Sequence, residues 1–100
     1  FGGVVVVTAG GKGAFCRTNE STLYQPAFPV QVVDTTGAGD VFHGAFMVGL
    51  IKHWPLEKII EFSSAVAALK CRGLGGRAMI PNKHEVMQYL QTNGTPKFWN

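Results

Sequence analysis

Hydrophobic residues occur in short runs near the start of the chain and in longer runs beyond its first third. Residues 3–8 and 30–33 are apolar at consecutive positions, a pattern typical of strands covered on both faces, as in parallel sheets. Between these runs, residues 13–17 and 21–25 predict a β-hairpin around the polar stretch 18–20. The first third of the chain is therefore predicted to be strand, hairpin and strand.

Three helices are predicted in the rest of the chain. Residues 41–53 are apolar nearly all round, which predicts a helix buried on every side. A second helix is predicted from the proline at position 55 to about residue 70, because proline suits the first turn of a helix. A third is predicted over residues 82–93, where Asn82 and Glu85 form a capping pattern and an Asn-Gly pair ends the helix. This order of elements predicts an α/β protein, but its strands are too few to cover all these helices.

The composition agrees with a piece of a larger protein. Of the 100 residues, 46% are hydrophobic and only 15% are charged. A chain of this length buries only roughly 60–65% of its unfolded surface, so a free-standing domain needs more polar residues. The chain also begins with Phe1 rather than methionine. We therefore expect a fragment whose faces are covered by other protein.

Charge and cysteine content disfavour several functional classes. The net charge is +3 and the nine Lys and Arg residues are scattered, so nucleic-acid binding, which needs clustered cations, is not predicted. No apolar run reaches the length of a membrane span, so no membrane association is predicted. Cys16 and Cys71 lack the spacing of a zinc site and are expected to be reduced thiols of a cytoplasmic protein.

The stretch Asp-Thr-Thr-Gly-Ala-Gly-Asp, from Asp34 to Asp40, lies between a predicted strand and a predicted helix. The first N–H groups of a helix have no internal acceptor and carry partial positive charge. Gly37, Ala38 and Gly39 have almost no side chains, so their N–H groups can surround an anion such as a phosphate. Asp40 beside them can accept a proton. The loop therefore predicts transfer of a phosphoryl group to a hydroxyl.

The same residues also suit a purely structural turn in which Asp40 only begins the helix, and composition alone leaves the two interpretations equal. Two other phosphate motifs are excluded. Lys12 is followed by Gly13 where a P-loop has Ser or Thr. Phe42 occupies the place of the third glycine of a dinucleotide-binding fingerprint.

Residues 34–45 resemble the second signature of the PfkB/ribokinase family of sugar kinases. Residues 5–14 resemble the family's nucleotide-contacting strand and loop, and residues 64–69 with 73–81 resemble its adenine-side helix and following loop. These segments occur in family order and cover nearly the whole chain. The resemblance implies that residues 1–100 are the C-terminal nucleotide-binding and catalytic segment of a three-layer α/β/α sandwich, without the N-terminal sugar-binding and lid part.

The resemblance also implies roles for individual residues. Asp40 is similar to the catalytic base that activates the sugar hydroxyl, and the amides of residues 37–39 are similar to the anion hole. Ser64 falls where the family lines the adenine pocket, although a small residue there suits plain helix packing equally well. Three positions match the nucleotide loop near the phosphates and ribose: Thr8, Gly10 and Gly13.

Many members of the family bind a monovalent cation, usually potassium, beside the same loop. Asp34 and the carbonyl of Thr36 fall at that site, and the alternative is that Asp34 caps the loop through neighbouring N–H groups. Further carbonyl ligands are implied near four positions: Lys70, Gly73, Gly75 and Met79. The resemblance also implies ATP with Mg²⁺ as the phosphoryl donor.

The function implied by the resemblance is ATP-dependent phosphorylation of a sugar hydroxyl, with a homodimer as one option for the full-length protein. Phosphoryl transfer needs a lid that excludes water, so the isolated chain is expected to be inactive without the remainder of the kinase chain. Two alternatives remain open. One is a non-catalytic nucleotide-binding or regulatory module, which the intact Asp40 disfavours. The other is a kinase of the same fold that acts on a nucleoside or a vitamin alcohol.

Overall fold

A three-stranded antiparallel sheet begins the chain in the computed structural model. The structure describes these stretches of backbone: residues 5–8, 13–18, 20–28, 37–71 and 83–99. The strands are neighbours in chain order: β1 (Val5–Thr8), β2 (Ala14–Arg17) and β3 (Thr22–Gln25). The predicted hairpin is confirmed, because β2 and β3 pair antiparallel around the polar stretch. The predicted strand at residues 30–33 lies outside the described residues.

The apolar run of β1 predicts a strand in a parallel sheet, whereas the structure pairs β1 antiparallel with β2. The pairing runs from Val5 opposite Arg17 to Thr8 opposite Ala14. Among the described residues β1 has no parallel neighbour. A run of apolar residues reports burial and not the direction of the neighbouring strand, so the pattern could not distinguish the two arrangements.

Among the described residues, four helices follow the sheet: α1 (Ala38–Ile51), α2 (Leu56–Cys71), α3 (Lys83–Asn93) and α4 (Pro96–Trp99). The first three confirm the predicted helices, and α4 is a single turn that the sequence did not predict. α1 and α2 are joined by a tight turn, in which the N–H of Trp54 donates to the carbonyl of Gly49 at 3.1 Å. This short connection sets α1 and α2 side by side.

Two hydrophobic clusters hold the elements together, and α2 contributes to both. The first lies between the sheet, α1 and α2. Its buried members are Ala14, Cys16, Phe42, Phe46, Ile59 and Ile60. The second joins α2 to α3 and α4. Its buried members are Ala45, Ala65, Val66, Leu69, Val86, Leu90 and Trp99. α2 is therefore the central element of the described fold.

Among the described residues, the burial predicted for the first helix is found on one side only. The buried residues of α1 are Phe42, Ala45, Phe46 and Gly49. On its other side, Met47 and Val48 are each 43% exposed and Ile51 is 71% exposed. Within the described part of the chain, the sheet and α2 pack against one side of α1 only. An apolar helix is fully buried only where neighbours lie on all its sides.

α1 and α2 approach each other closely at Gly49. A Cβ atom at Gly49 would lie 2.7 Å from Cγ1 and 2.9 Å from Cγ2 of Ile59. Contacts this short do not occur between real side chains, so any larger residue would push the two helices apart. Glycine at this position therefore permits the close packing of the two helices.

We expect Gly49→Ala to destabilise the full-length protein. Overpacking costs about 1–3 kcal/mol, of which alanine recovers about 1 kcal/mol through its higher helix propensity. Gly44→Ala is the matched control on α1, because nothing lies within 4 Å of a Cβ placed there. It should be stabilising by about 0.5–1 kcal/mol. Unfolding by denaturant measures both variants, and equal stability of the two would contradict the close contact.

A buried carboxylate fixes α4 against α2. Glu61, on α2, is only 6% exposed. One of its oxygens, Oε1, accepts a hydrogen bond from the N–H of Thr95 at 2.7 Å, and the other, Oε2, accepts one from the Thr95 hydroxyl at 2.7 Å. The indole N–H of Trp99 also donates to Oε1. Three donors thus surround one carboxylate, and together they hold the C-terminal turn on the body of the protein.

Candidate functional site

The start of α1, where the sequence predicts an anion site, is described from Gly37 onward. Gly37 is the N-cap of α1 and has a left-handed backbone, with φ 77° and ψ 2°. A residue with a side chain is strained in this conformation, so the turn itself favours glycine here. The N–H of Val41 donates to the carbonyl of Gly37 at 3.0 Å and closes the first turn of the helix.

The first amides of α1 have no acceptor within the helix. The N–H groups of Ala38, Gly39 and Asp40 precede the first hydrogen bond of the helix, and Gly37 has no side chain with which to cap them. Gly39 is exposed, and nothing described lies within 4 Å of a Cβ placed on it. The positive end of the helix dipole is therefore accessible to a ligand. This geometry fits the predicted anion hole of residues 37–39, whose role stays a prediction.

Asp40 stands next to these amides. It lies in the first turn of α1 and its side chain is exposed. An exposed carboxylate can be reached by the hydroxyl group of a bound substrate, as a general base requires. The helix start also stabilises negative charge in its first turn. The structure thus places Asp40 where the predicted chemistry needs it, and its role as a base stays a prediction.

The side chain of Lys70 reaches the same place from α2. The sequence suggested Lys70 only as a backbone carbonyl ligand for a cation. In the structure the residue is 8% exposed, and a Cβ atom on Gly37 would lie 3.6 Å from its Cε and 3.7 Å from its Nζ. Sequence reasoning missed this contact, although a lysine at the end of an alanine-rich apolar run was the available signal. The end of α2 therefore brings a cationic side chain to the start of α1.

Ser64, the predicted adenine-side residue, is buried on α2 and is 7% exposed. Among the described residues its Oγ has no hydrogen-bond partner. The hydroxyl of the neighbouring Ser63 does have a partner, because it donates to the carbonyl of Ile59 at 2.8 Å. A buried hydroxyl without a partner costs about 1–3 kcal/mol, which a ligand's polar group can offset. The buried hydroxyl suits either interpretation, and its contact with a nucleotide stays a prediction.

Gly13, a predicted nucleotide-loop residue, is buried in the structure and has φ 102°. A Cβ atom on Gly13 would collide with the carbonyl oxygen of Gln25. Glycine is therefore needed where the chain enters β2, so its presence has a structural reason of its own. Thr8 ends β1, and the structure describes its backbone only. Neither residue's contact with a nucleotide is tested.

Most of the predicted cation site cannot be placed. These predicted site residues lie outside the described residues: Gly10, Asp34, Thr36, Gly73, Gly75 and Met79. In the described part of the chain, no group of three His, Cys, Asp or Glu side chains could hold a metal ion.

Cys16 and Cys71 are both free, and burial raises the pKa of the Cys16 thiol, which keeps it protonated. None of the described helices is long and apolar enough to cross a membrane.

Comparison with known proteins identifies one family that matches this chain. The family model described as pfkB family carbohydrate kinase matches residues 1–83. A ribokinase of Haemophilus influenzae is 33% identical over 87 residues, which cover 87% of this chain and 28% of that protein. An ATP-dependent 6-phosphofructokinase of Thermoanaerobacterium thermosaccharolyticum is 40% identical over 79 residues, covering 79% of this chain and 24% of that protein. The chain thus spans less than a third of the length of these relatives.

Solved structures share the same fold. A ribokinase of Thermotoga maritima superposes with a TM-score of 0.83 at 38% identity, covering 89% of this chain and 30% of its own. A protein described as ribokinase II of E. coli, solved with ATP and Mg²⁺, gives a TM-score of 0.84 at 26% identity and covers 90% and 29%. A nucleoside kinase of Burkholderia thailandensis, solved with inosine, gives 0.81 at 28% identity and covers 89% and 30%. These likenesses confirm the prediction of a portion of a ribokinase-like α/β fold.

Proposed function

The chain belongs to the pfkB family of carbohydrate kinases, and we propose that it forms the nucleotide-binding and catalytic segment of an ATP-dependent kinase for a sugar hydroxyl. The observation that carries this proposal is the open start of α1. There the left-handed Gly37 has no side chain to cap the amides of Ala38 and Gly39, and the exposed carboxylate of Asp40 stands beside them. Anion site and proton acceptor thus adjoin, as transfer of a phosphoryl group to an alcohol requires.

In the proposed reaction, Asp40 accepts the proton of the acceptor hydroxyl as the hydroxyl oxygen attacks the terminal phosphorus of ATP. A new oxygen–phosphorus bond forms, the bond to the bridging oxygen breaks, and its electron pair leaves with ADP. The amides of Gly37, Ala38 and Gly39 donate to the phosphoryl oxygens as negative charge spreads over them. Fixed amides need no reorganisation when this charge develops, so they stabilise the transition state more than the bound substrate.

The donor nucleotide is proposed to lie along the side of the site that includes α2. The buried Ser64 hydroxyl, without a described partner, would meet a polar atom of the nucleotide base. Thr8 and Gly13 would lie near the phosphates and ribose, as the family resemblance implies. The E. coli relative solved with ATP and Mg²⁺ supports the same donor here. Mg²⁺ would neutralise phosphate charge when bound with the nucleotide.

The acceptor sugar is proposed to be bound mainly outside residues 1–100. The chain covers 24–28% of the two curated relatives and 29–30% of the three solved structures compared above. A kinase must enclose both substrates to keep water from the transferred group, so we expect residues 1–100 alone to show no turnover. We therefore propose that the residues that select the acceptor sugar lie in the rest of the kinase domain.

The experiment that tests the function is a phosphorylation assay of the full-length protein that carries this sequence. ATP is supplied with a panel of pentoses, hexoses and phosphosugars, and both ADP release and the mass of the phosphorylated product are measured. Binding of ADP is measured in parallel by calorimetry. Turnover with at least one sugar supports the proposal. Binding of ADP without turnover on any acceptor would instead indicate a non-catalytic nucleotide-binding module.

A nucleoside acceptor is the second candidate, because the Burkholderia nucleoside kinase solved with inosine shares the fold of this chain. The chemistry of Asp40 and the α1 amides would be unchanged, since a hydroxyl of a sugar ring is the acceptor in both cases. The panel therefore includes inosine and adenosine. A kcat/KM for a nucleoside that exceeds that for every free sugar would decide for this candidate.

A further inference from the structure

The two polar side chains of α1 lie one turn apart. Every other residue of this helix is glycine, alanine or a larger apolar residue, so only Asp40 and His43 carry a polar side chain. Residues three apart on a helix are neighbours on one face, with Cβ atoms about 5–6 Å from each other. Both side chains are exposed. The imidazole of His43 therefore lies on the same face of α1 as the proposed base.

The imidazole of His43 has no polar partner in the described part of the chain. It makes no hydrogen bond or ion pair with a described residue, and its ring is nearly perpendicular to that of Phe42, with centroids 5.7 Å apart. Its neighbours on the exposed face are Gly44, which has no side chain, and the apolar Met47. Where a substrate covers this face, the imidazole needs a polar group to bond to, because a buried polar group without a partner costs free energy.

The exposed face of α1 is the side opposite to α2. The buried residues of α1, such as Phe42 and Phe46, pack against the sheet and α2. The donor nucleotide is proposed to lie on the α2 side, where Ser64 is found. In-line transfer places the donor and the acceptor on opposite sides of the moving phosphoryl group. A donor on the α2 side thus leaves the exposed face, with Asp40 and His43, to the acceptor.

We propose that His43 binds the acceptor sugar through a second hydroxyl, close to the hydroxyl that Asp40 deprotonates. An imidazole nitrogen can donate to a hydroxyl or accept from one. The spacing of one helical turn suits two oxygens of the same sugar, so the acceptor class is a polyhydroxylated ring rather than a simple alcohol. The inference rests on the proposed kinase function and assigns a specificity-determining residue to the same site.

The substitutions separate hydrogen bonding from bulk. His43→Leu keeps an apolar side chain of moderate size and removes both polar atoms, whereas His43→Asn keeps a donor and an acceptor. His43→Ala is a second variant without polar atoms. His84→Leu is the matched control, because His84 is also an exposed histidine of a helix, here α3. All are made in the full-length protein, and thermal unfolding reports whether each variant folds.

The main readout is kcat/KM for the panel sugar that is phosphorylated best and for its analogues that each lack one hydroxyl. We expect His43→Leu to lower kcat/KM for the intact sugar about tenfold, the usual effect of losing one hydrogen bond. For the analogue without the contacted hydroxyl, the same substitution should change kcat/KM by less than about twofold, because the bond is already missing. His43→Asn should stay within about threefold of the unmodified protein. His84→Leu should leave kcat/KM unchanged, and KM for ATP should stay constant in all variants.

Several results would overturn the inference. Unchanged kcat/KM in His43→Leu, or an equal loss for the intact sugar and every analogue, shows that His43 does not bind a sugar hydroxyl. A rise in KM for ATP would place His43 on the donor side. If His43→Leu does not fold, His43→Ala replaces it, and failure of both to fold makes His43 a stability residue. If the unmodified protein phosphorylates a sugar and only these outcomes differ from expectation, the kinase proposal stands and this inference alone fails. Absence of turnover on every acceptor removes both.

Discussion

Replacing Asp40 by asparagine in the full-length protein should lower kcat for phosphoryl transfer by about 10²–10⁴-fold, the usual contribution of a general base. Asparagine has nearly the same shape as aspartate but cannot accept the hydroxyl proton. Asp40 is exposed in the first turn of α1 and adds little to the core, so folding should be unaffected. Affinity for ADP should change by less than about threefold, because the amides that bind phosphate remain. Single-turnover kinetics measures the chemical step directly.

The matched control for this loss is Glu57→Gln. Glu57 is also an exposed carboxylate in the first turn of a helix, here α2, and its substitution makes the same change in charge. Its kcat should equal that of the unmodified enzyme. A decrease of less than tenfold in Asp40→Asn, with normal folding, would show that another group takes the proton. Equal losses in both variants would point to a general effect of charge.

Glu61→Gln should cause the largest loss of stability, about 2–3 kcal/mol, because one neutral amide replaces a buried carboxylate with three hydrogen-bond donors around it. The amide nitrogen of glutamine is itself a donor, so at least one of the three groups at Thr95 and Trp99 is left unpaired. The loss of structure should begin at α4. Hydrogen exchange at the Thr95 amide should accelerate about 30–150-fold, the ratio that corresponds to this free-energy change if α4 opens on its own.

Glu57→Gln again provides the comparison, since it lies one turn before Glu61 on the same helix but points to solvent. It should leave exchange at Thr95 unchanged. Thr95→Val removes one donor, the hydroxyl, and keeps the shape of the side chain, so it should cost less than Glu61→Gln, about 1 kcal/mol. If Glu61→Gln leaves Thr95 protected and stability unaltered, the carboxylate does not hold α4 in solution. The order of the two losses of stability tests the role of the Glu61 carboxylate as well as their magnitudes do.

The sequence predicted α1 to α3 and the hairpin because the signals for these elements are local. A helical apolar period, a proline in the first turn and an Asn-Gly ending all lie within a few residues of the boundary they set. α4 has no such signal. It is a single turn that depends on Glu61, 34 residues before Thr95, and no local pattern records a contact over that separation. Tertiary contacts decide such elements.

The residues of the candidate site differ in the same way, because some follow from the local sequence and others from tertiary contacts. Gly37 to Asp40 could be identified from the sequence, because consecutive residues make both the helix start and the proposed proton acceptor. The side chain of Lys70 could not, since it reaches Gly37 only when the end of α2 packs beside the beginning of α1. The exposed side of α1 also escaped prediction. Apolar residues such as Ile51 show that a face is suited to burial, but not whether a neighbour is present.

The close contact between Gly49 and Ile59 has a consequence for motion during catalysis. Because the Ile59 side chain packs directly on the Gly49 backbone without spare volume, α1 and α2 are not expected to slide past each other by small steps. Asp40 at one end of α1 and Ser64 in the middle of α2 then travel as a single block. In the proposed kinase, we therefore expect closure around the substrates to be made by other parts of the protein moving toward this block, with the distance between Asp40 and Ser64 held constant.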